Sequence, residues 1–188
     1  LPRFTSAGQF EYQARLRYRR NGESTLNDYW CGFIQSSDGN EGISSISPEI
    51  SFTAIDNLGG MEDSTVDVSV GSVTPINLFD QLLESLRQTG LDLPVMVESG
   101  IRNATGDALT NVTAHPGEDN VEYRKKLTNK EMIGGLLSAF NCKIFQSYGK
   151  WFIINASTHS GTGTNETCTF AKYTVQNAVY TADGTENV

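Results

Sequence analysis

The sequence predicts an α+β fold that is rich in β-strand, with mostly antiparallel sheets and two short helices at about residues 74–89 and 129–141. Three observations support this class. Gly, Ser, Thr and Asn are plentiful, while apolar residues make up only 38% of the 188 positions, a composition that favours short strands joined by turns. Several segments alternate apolar and polar residues with the two-residue period of a strand. Two others repeat apolar residues at the spacing of an amphipathic helix.

Residues 1–72 are predicted to form a β-rich lobe. Strict alternation in Phe10–Tyr18 indicates a half-buried strand. The more continuously apolar run Asp28–Gln35 indicates a second strand with deeper burial. Alternation over Pro48–Asp56 predicts a third strand, and the pair Gly59-Gly60 after it permits positive φ and a sharp change of direction.

Residues 73–158 are predicted to form an α+β lobe of a helix–strand unit and a helix–hairpin unit. The first helix is expected to begin at Thr74 as N-cap, followed by proline at the first helical position, and to end at Gly90. Leu91–Glu98 then indicates a strand that returns to the sheet. Its Pro94 lacks a backbone N–H and is best tolerated on an edge strand.

The clearest local signal lies in Thr128–Asn155, which predicts a capped helix followed by a β-hairpin. Thr128 and Glu131 have the spacing of a capping box, in which each side chain satisfies a free backbone donor. Gly134-Gly135 in mid-helix destabilises by about 1 kcal/mol per residue relative to Ala. A close approach of this helix to a sheet is the compensation that we expect.

The predicted hairpin pairs Cys142–Ser147 with Lys150–Asn155 around Tyr148-Gly149. Adjacent apolar residues in both runs indicate that both faces of the sheet are covered, so both strands are expected to be interior, with Trp151 in the core. Residues 159–188 are expected to form a linker and a terminal β segment. The chain begins with Leu1, and an excerpt from a longer polypeptide is the interpretation that we favour.

Charge is distributed unevenly along the chain. The formal net charge is -8, which argues against a nucleic-acid partner because phosphate binding needs clustered basic residues. Residues 1–20 nevertheless hold five arginines against one acid. A basic strand on an acidic body predicts either a solvated face or a docking surface for an acidic neighbour. The candidate interface residues are Arg15, Arg17, Arg19 and Arg20.

No pattern of catalytic or cofactor-binding residues is evident, so neither an enzyme nor a cofactor or metal site is expected. His115 and His159 lie in polar segments without metal-ligand spacing. Adjacent carboxylates such as those at 62–63 and 118–119, and the acidic loop 36–41, are interpreted as solvated turns. The three separated cysteines are expected to be reduced and mostly buried. No apolar run is long enough to cross a membrane.

Four strings resemble segments of tail-tip or baseplate hub proteins of tailed bacteriophages. They are Trp30-Cys31-Gly32, the run Ile50–Gly59 (ISFTAIDNLG), Thr89–Pro94 (TGLDLP) and Phe140–Trp151 (FNCKIFQSYGKW). In that family the second string often reads Ala-Thr-Asp-Gly-Leu, from which Ile55 and Asn57 depart. The resemblance covers roughly residues 28–155.

The resemblance implies a structural protein of the virion tail that assembles into a ring at the distal end of the tail tube. The expected partners are other tail proteins and further copies of the chain, with a trimer as the expected ring. The alternative is a surface carbohydrate- or receptor-binding module, whose binding edge would be the polar loops 36–47 and 99–122. A cell-wall hydrolase is the third reading, and the missing catalytic signature makes it the weakest.

Overall fold

The computed structural model describes residues 12–35, 53–63, 65, 76–114, 128–157 and 167–188. Within these residues the strands form sheets of three, five and two strands, and every neighbouring pair is antiparallel except one. The predicted α+β class is therefore confirmed. The elements in chain order are β1 (Gln13–Tyr18), β2 (Asn27–Gln35), β3 (Thr53–Ile55), β4 (Ile76–Asn77), α1 (Leu78–Arg87), β5 (Val95–Glu98), β6 (Thr113–Ala114), α2 (Asn129–Ala139), β7 (Cys142–Ser147), β8 (Lys150–Asn155), β9 (Thr169–Gln176) and β10 (Val179–Asn187).

The three-stranded sheet has the order β1-β2-β3. Its central strand β2 buries Cys31 and Phe33 in the core, as its apolar run predicts. The half-burial predicted for β1 is confirmed for Ala14 and Tyr18, which are partly buried, and is wrong for Leu16, which is 57% exposed, and for the preceding Tyr12, which is 38% exposed. Phe10 and residues 48–52 of the predicted strands lie outside the described residues.

The turn after β3 differs from its prediction. The residue with positive φ is Asn57, at 65°, and the Gly59-Gly60 pair instead starts a 3₁₀ turn over Gly59–Asp63. The Asn57 amide nitrogen donates to the Thr89 carbonyl at 3.2 Å. Asparagine tolerates the left-handed region better than other non-glycine residues, and here its side chain also ties the turn to the end of α1.

Helix α1 begins later than predicted. Asn77 is its N-cap, and the Asn77 Oδ1 atom accepts from the backbone N–H of Phe79 at 2.8 Å. Ile76 belongs to the short ladder of β4 with β6 and not to the helix. Thr74 lies outside the described residues. The helix ends where predicted, with Gly90 at a φ of 74° after the last turn.

Helix α2 confirms the predicted capping box. The Thr128 hydroxyl accepts from the Glu131 N–H at 3.1 Å, and the Thr128 N–H donates to the Glu131 carboxylate at 2.9 Å. The helix buries Met132, Ile133, Leu136 and Leu137 along one face.

The five-stranded sheet has the order β10-β9-β5-β8-β7. The predicted hairpin of β7 and β8 is confirmed, with Tyr148 and Gly149 both at positive φ in the turn. Two positional predictions are wrong. Strand β5 is central and not an edge. Pro94, which lacks a backbone N–H, lies just before the strand and takes part only through its carbonyl, which accepts from the Trp151 N–H at 2.8 Å. Strand β7 is an edge and not an interior strand.

One hydrophobic core joins parts of all three predicted segments. Trp151 and Ile153 of β8 point to one sheet face and pack in the same buried cluster as residues of α1, α2 and β2. Phe152, between them, points to the opposite face and packs with Met96 and Phe170. Because β9 pairs with β5, residues 169–187 share a sheet with the predicted lobe 73–158.

Candidate interaction surfaces

The four candidate interface arginines lie on β1 and the turn after it. The Arg17 Nε atom lies 2.6 Å from Asp28 of β2, and an Arg15 terminal nitrogen lies 3.5 Å from the other oxygen of the same carboxylate. Arg15 and Arg17 are about half exposed. Arg19 and Arg20 are exposed and form no ion pair within the described residues. The structure thus brings two arginines together and leaves the other two in solvent.

The opposite side of this sheet carries an apolar surface that we call the open face. Residues paired across antiparallel strands share a sheet face, and the pairs Leu16–Trp30 and Ile34–Ala54 lie on the side away from the buried Cys31. The Ile34 N–H donates to the Tyr12 carbonyl at 2.9 Å, which extends this surface to Tyr12. The open face consists of Tyr12, Ala14, Leu16, Trp30, Ile34 and Ala54, around Gly32.

A close approach of Trp30 and β3 explains the glycine in this surface. A Cβ atom at Gly32 would overlap the Trp30 ring and the carbonyl oxygen of Ile55. The Trp30 indole therefore lies over Gly32 of its own strand, and it is partly buried. Leu16, at the edge of the sheet, remains in solvent.

Hydrogen bonds from the Gln146 side chain and from the Gly149 N–H hold the β1–β2 hairpin against the edge strand β7 and its turn. The Gln146 Nε2 atom donates to the Cys31 carbonyl at 2.9 Å, and the Cys31 N–H donates to the Gln146 Oε1 atom at 3.0 Å. The Gly149 N–H also donates to the Tyr29 carbonyl at 3.2 Å. The Gln146 amide thus bonds both backbone groups of Cys31, as a residue of a paired strand would. These bonds hold the hairpin against the five-stranded sheet.

Three tyrosines from distant positions meet at this junction. Tyr18, Tyr29 and Tyr148 contact one another edge to face, with ring centroids 5.7–5.9 Å apart. Tyr29 and Tyr148 are each more than 40% exposed. The tight turn that presents Tyr148 is recognisable from the sequence, but no sequence signal links it to residues more than a hundred positions away.

Tyr148 also lines a second apolar surface, which we call the aromatic groove. This open groove of about 260 Å³ lies between the β7–β8 hairpin, the start of β9 and the end of β10. The Phe145 and Phe152 rings stack at 5.7 Å, and Phe170 meets Phe152 edge to face at 5.5 Å. Its other lining residues are Ser147, Ile154, Cys168 and Val188.

The aromatic groove is open because its edge residues have few neighbours. Phe145 on the edge strand β7 is 41% exposed, and Val188 is 50% exposed. The Lys150 ammonium lies 2.6 Å from the Glu186 carboxylate and so joins β8 to β10. Glu186 is the more exposed partner of this pair, with 39% of its side chain in contact with solvent.

The prediction that Gly134-Gly135 approaches a sheet is wrong. Both glycines face outward on α2, and no described atom lies within 4 Å of a Cβ built on either. They line a shallow surface depression together with Glu62 and Lys130, which form an ion pair. The glycines lie on the exposed side of the helix because the buried stripe passes through the residues on either side of them.

Titratable groups form no cluster of metal-ligand type within the described residues. His115, His159 and the loop 36–41 lie outside the described residues. None of the three cysteines forms a disulfide, and Cys31 is buried whereas Cys142 and Cys168 are partly buried. Burial, aided by the nearby Glu98 carboxylate, raises the pKa of the Cys142 thiol to about 11. That thiol is therefore protonated at neutral pH.

Carboxylates in α1 and in the segment after it lie near two tyrosines of the β9–β10 hairpin. Burial raises the pKa of Tyr180, and the Asp92 carboxylate adds to this effect. Burial and the Asp80 carboxylate likewise raise the pKa of Tyr173. The Tyr180 hydroxyl donates to the Leu93 carbonyl at 2.8 Å. The hydrogen bond of Tyr180 joins β10 to the segment that follows α1.

Comparison with known proteins finds no matching family model, no matching curated protein and no matching solved structure. Among the described residues, no helix is long and apolar enough to span a membrane.

Proposed function

We propose that the chain is a structural component of a bacteriophage tail tip or baseplate hub and works by self-association and not by catalysis. In this proposal it is located in the virion tail, where it joins other tail proteins and forms a ring, with a trimer as the expected stoichiometry. The observation that carries the proposal is the β1–β2 hairpin, whose open face exposes Tyr12 and Leu16 and which also carries the four arginines.

The composition of the β1–β2 hairpin supports a protein partner. Contiguous exposed apolar surface on a folded domain marks a site of interaction. Interfaces are enriched in Tyr, Trp and Arg and depleted in Lys. Residues 12–35 contain three tyrosines, one tryptophan and four arginines, and no lysine. This composition favours burial against another protein over permanent exposure to water.

The strings that resemble hub proteins add support from their positions. Trp30-Cys31-Gly32 lies in the middle of β2, where it supplies both the open face and the contact with Gln146. The string Phe140–Trp151 forms β7 and the turn that carries Tyr148. Two of the strings therefore lie at the junction where the exposed surfaces meet.

The oligomeric state of the purified chain tests the proposal. We expect a mass three times the monomer mass of 20.6 kDa in light scattering and native mass spectrometry at micromolar concentration. Electron microscopy of the same sample should show closed rings. A monomer throughout the micromolar range would contradict the proposal.

The aromatic groove favours a second candidate, the surface carbohydrate- or receptor-binding module. Exposed aromatic rings beside polar groups provide apolar area with directional hydrogen bonding, which suits recognition of a polar ligand. A monomeric chain that is retained on immobilised glycans, with retention lost in Phe145→Ala, would favour this candidate. Retention that is equal in wild type and Phe145→Ala would exclude the groove as the binding surface.

A further inference from the structure

We propose that Asn21, in the turn between β1 and β2, is a site of spontaneous deamidation, which converts its side-chain amide into a carboxylate. Asn21 is the only asparagine of the sequence that is followed by glycine. The structure places this Asn-Gly pair in an exposed turn beside two exposed arginines. The inference concerns the chemistry of one turn and does not depend on the proposed function.

The turn 20–23 is closed by a single backbone hydrogen bond among the described residues. The Glu23 N–H donates to the Arg20 carbonyl at 3.1 Å, and Gly22 has a φ of 89°. Positive φ at the third residue alone is typical of a type II turn, which favours glycine at that position. All four residues of the turn are exposed, so water reaches the Asn21 amide.

Neither reacting group is held by another described part of the chain. The Asn21 amide and the Gly22 N–H form no hydrogen bond to a described residue. A Cβ built on Gly22 would meet no described atom within 4 Å. Because glycine adopts both signs of φ, the peptide between the two residues can rotate until the Gly22 nitrogen faces the Asn21 Cγ atom.

The reaction needs only water and hydroxide. Hydroxide removes the proton of the Gly22 nitrogen, which attacks the Asn21 Cγ atom and closes a five-membered succinimide ring, as proximity within one dipeptide favours. The bond from Cγ to Nδ2 breaks, and the leaving nitrogen takes up protons from water and departs as ammonia. Water then adds to one of the two ring carbonyls and opens the ring. One opening leaves aspartate and the other leaves isoaspartate.

Either product places a carboxylate beside Arg19 and Arg20, the two candidate interface arginines that form no ion pair within the described residues. An aspartate side chain has a pKa of about 4, so the new group is negatively charged at neutral pH. Residues 12–35 hold four arginines against two acids. The formal excess of two positive charges falls to one, and the basic hairpin therefore loses charge as the protein ages.

Asn177 provides a matched comparison within the same chain. It lies in the exposed turn between β9 and β10 at a φ of 51°, and its side chain forms no hydrogen bond to a described residue. The residue that follows it is Ala178, whose Cβ atom hinders rotation and close approach of the backbone nitrogen. Exposure is thus shared by the two sites, and the glycine distinguishes them.

Peptide mass spectrometry of the folded chain tests the inference. After incubation at pH 8 and 37 °C, cleavage at glutamate yields peptides 12–23 and 167–186, each of which contains one asparagine. Peptide 12–23 should gain about 1 Da as its amide becomes an acid. The corresponding change in peptide 167–186 should be at least about tenfold slower, since alanine follows its asparagine.

Two substitutions exchange the behaviour of the two turns. Gly22→Ala should slow the reaction at Asn21 about tenfold. Ala178→Gly should create the faster reaction at Asn177, since Ala178 has a φ of 62° that glycine adopts without strain. Gly22→Ala places alanine at positive φ, so Asn21→Gln, which would have to close a six-membered ring, is the second variant in case the first does not fold.

A peptide 12–23 of unchanged mass from the folded chain would overturn the inference. The same incubation in urea then shows the reason, because a mass gain only in the unfolded chain means that the turn protects Asn21. Equal rates at Asn21 and Asn177 would also overturn it, since the glycine would then be irrelevant. None of these measurements depends on oligomeric state, so failure here leaves the hub proposal standing.

Discussion

Replacing Gly134 and Gly135 with alanine should stabilise the chain. Both residues lie inside α2 and have helical φ, so an alanine fits the backbone without strain. A Cβ at either position meets no described atom within 4 Å. The substitution therefore adds helix propensity and reduces the entropy of the unfolded chain without a steric penalty.

The size of this stabilisation can be worked out from the difference in helix propensity between glycine and alanine. Glycine in a helix interior is less favourable than alanine by about 0.5–1 kcal/mol. Neighbouring residues on a helix do not face each other, so the two effects should add to about 1–2 kcal/mol. For a chain of this length, 1 kcal/mol shifts the melting temperature by about 2–4 °C. The double variant should therefore melt about 2–8 °C above the wild type.

Urea denaturation and differential scanning calorimetry measure this change, and Gly149→Ala is the control. Gly149 has a φ of 67°, and a Cβ there would lie 3.1 Å from the Asp28 Cβ atom. Alanine in the left-handed region is unfavourable by about 1–2 kcal/mol, so this variant should be destabilised. Loss of stability in the Gly134 or Gly135 variant would refute the reasoning, since it would show that a contact outside the described residues occupies that face.

Four further outcomes are expected. Thr128→Ala removes the N-cap of α2 and should reduce the free energy of unfolding by about 0.5–2 kcal/mol. Trp151→Ala empties a site with 0% exposure and should reduce it by about 3–5 kcal/mol. Because its pKa is about 11 against an ordinary 9.0, Cys142 should react with iodoacetamide at pH 8 about 10- to 100-fold more slowly than an unperturbed thiol, since the smaller thiolate fraction outweighs the higher nucleophilicity of that thiolate. Raising salt from 0.1 to 1 M shortens the Debye length from about 10 to about 3 Å and should weaken self-association through the four hairpin arginines.

Each of these expectations has a contradicting result. Unchanged urea denaturation of Thr128→Ala would show that the capping box does not stabilise α2 in solution. A loss below about 1 kcal/mol for Trp151→Ala, typical of surface substitutions, would contradict its burial. Rapid alkylation of Cys142, followed by peptide mass spectrometry, would show that its thiol is accessible as a thiolate. Association that is insensitive to salt would remove the electrostatic argument for the hairpin.

Local signals were sufficient where neighbours in sequence are also neighbours in space. The capping box of Thr128 and Glu131 and the turn at Tyr148-Gly149 depend on contacts within four residues, and both are present. The two-residue turn of a β-hairpin requires positive φ, which glycine readily adopts. This requirement restricts the residues that can form the turn, so the turn can be recognised from the sequence. The end of α1 at Gly90 follows the same rule.

Predictions that depended on distant neighbours were less successful. An N-cap at Thr74 is plausible by local rules, but β4 pairs with β6 and leaves Asn77 to cap α1. The apolar runs of β7 and β8 indicate that both faces of these strands are covered, but they do not show which elements lie beside each strand. β7 is a sheet edge, and the side chain of its own Gln146 bonds to the Cys31 backbone of β2. The outward position of Gly134-Gly135 likewise depends on where α2 packs.

The sequence by itself determined the fold class, the capped helix, the hairpin and the concentration of arginines near the amino terminus, because periodicity, capping and turn chemistry are local. Only the tertiary structure decided which faces remain in solvent. Strand order is set by contacts between segments far apart in the chain, and this order places β1 and β7 at sheet edges. The open face, the tyrosine cluster and the aromatic groove all arise from that arrangement.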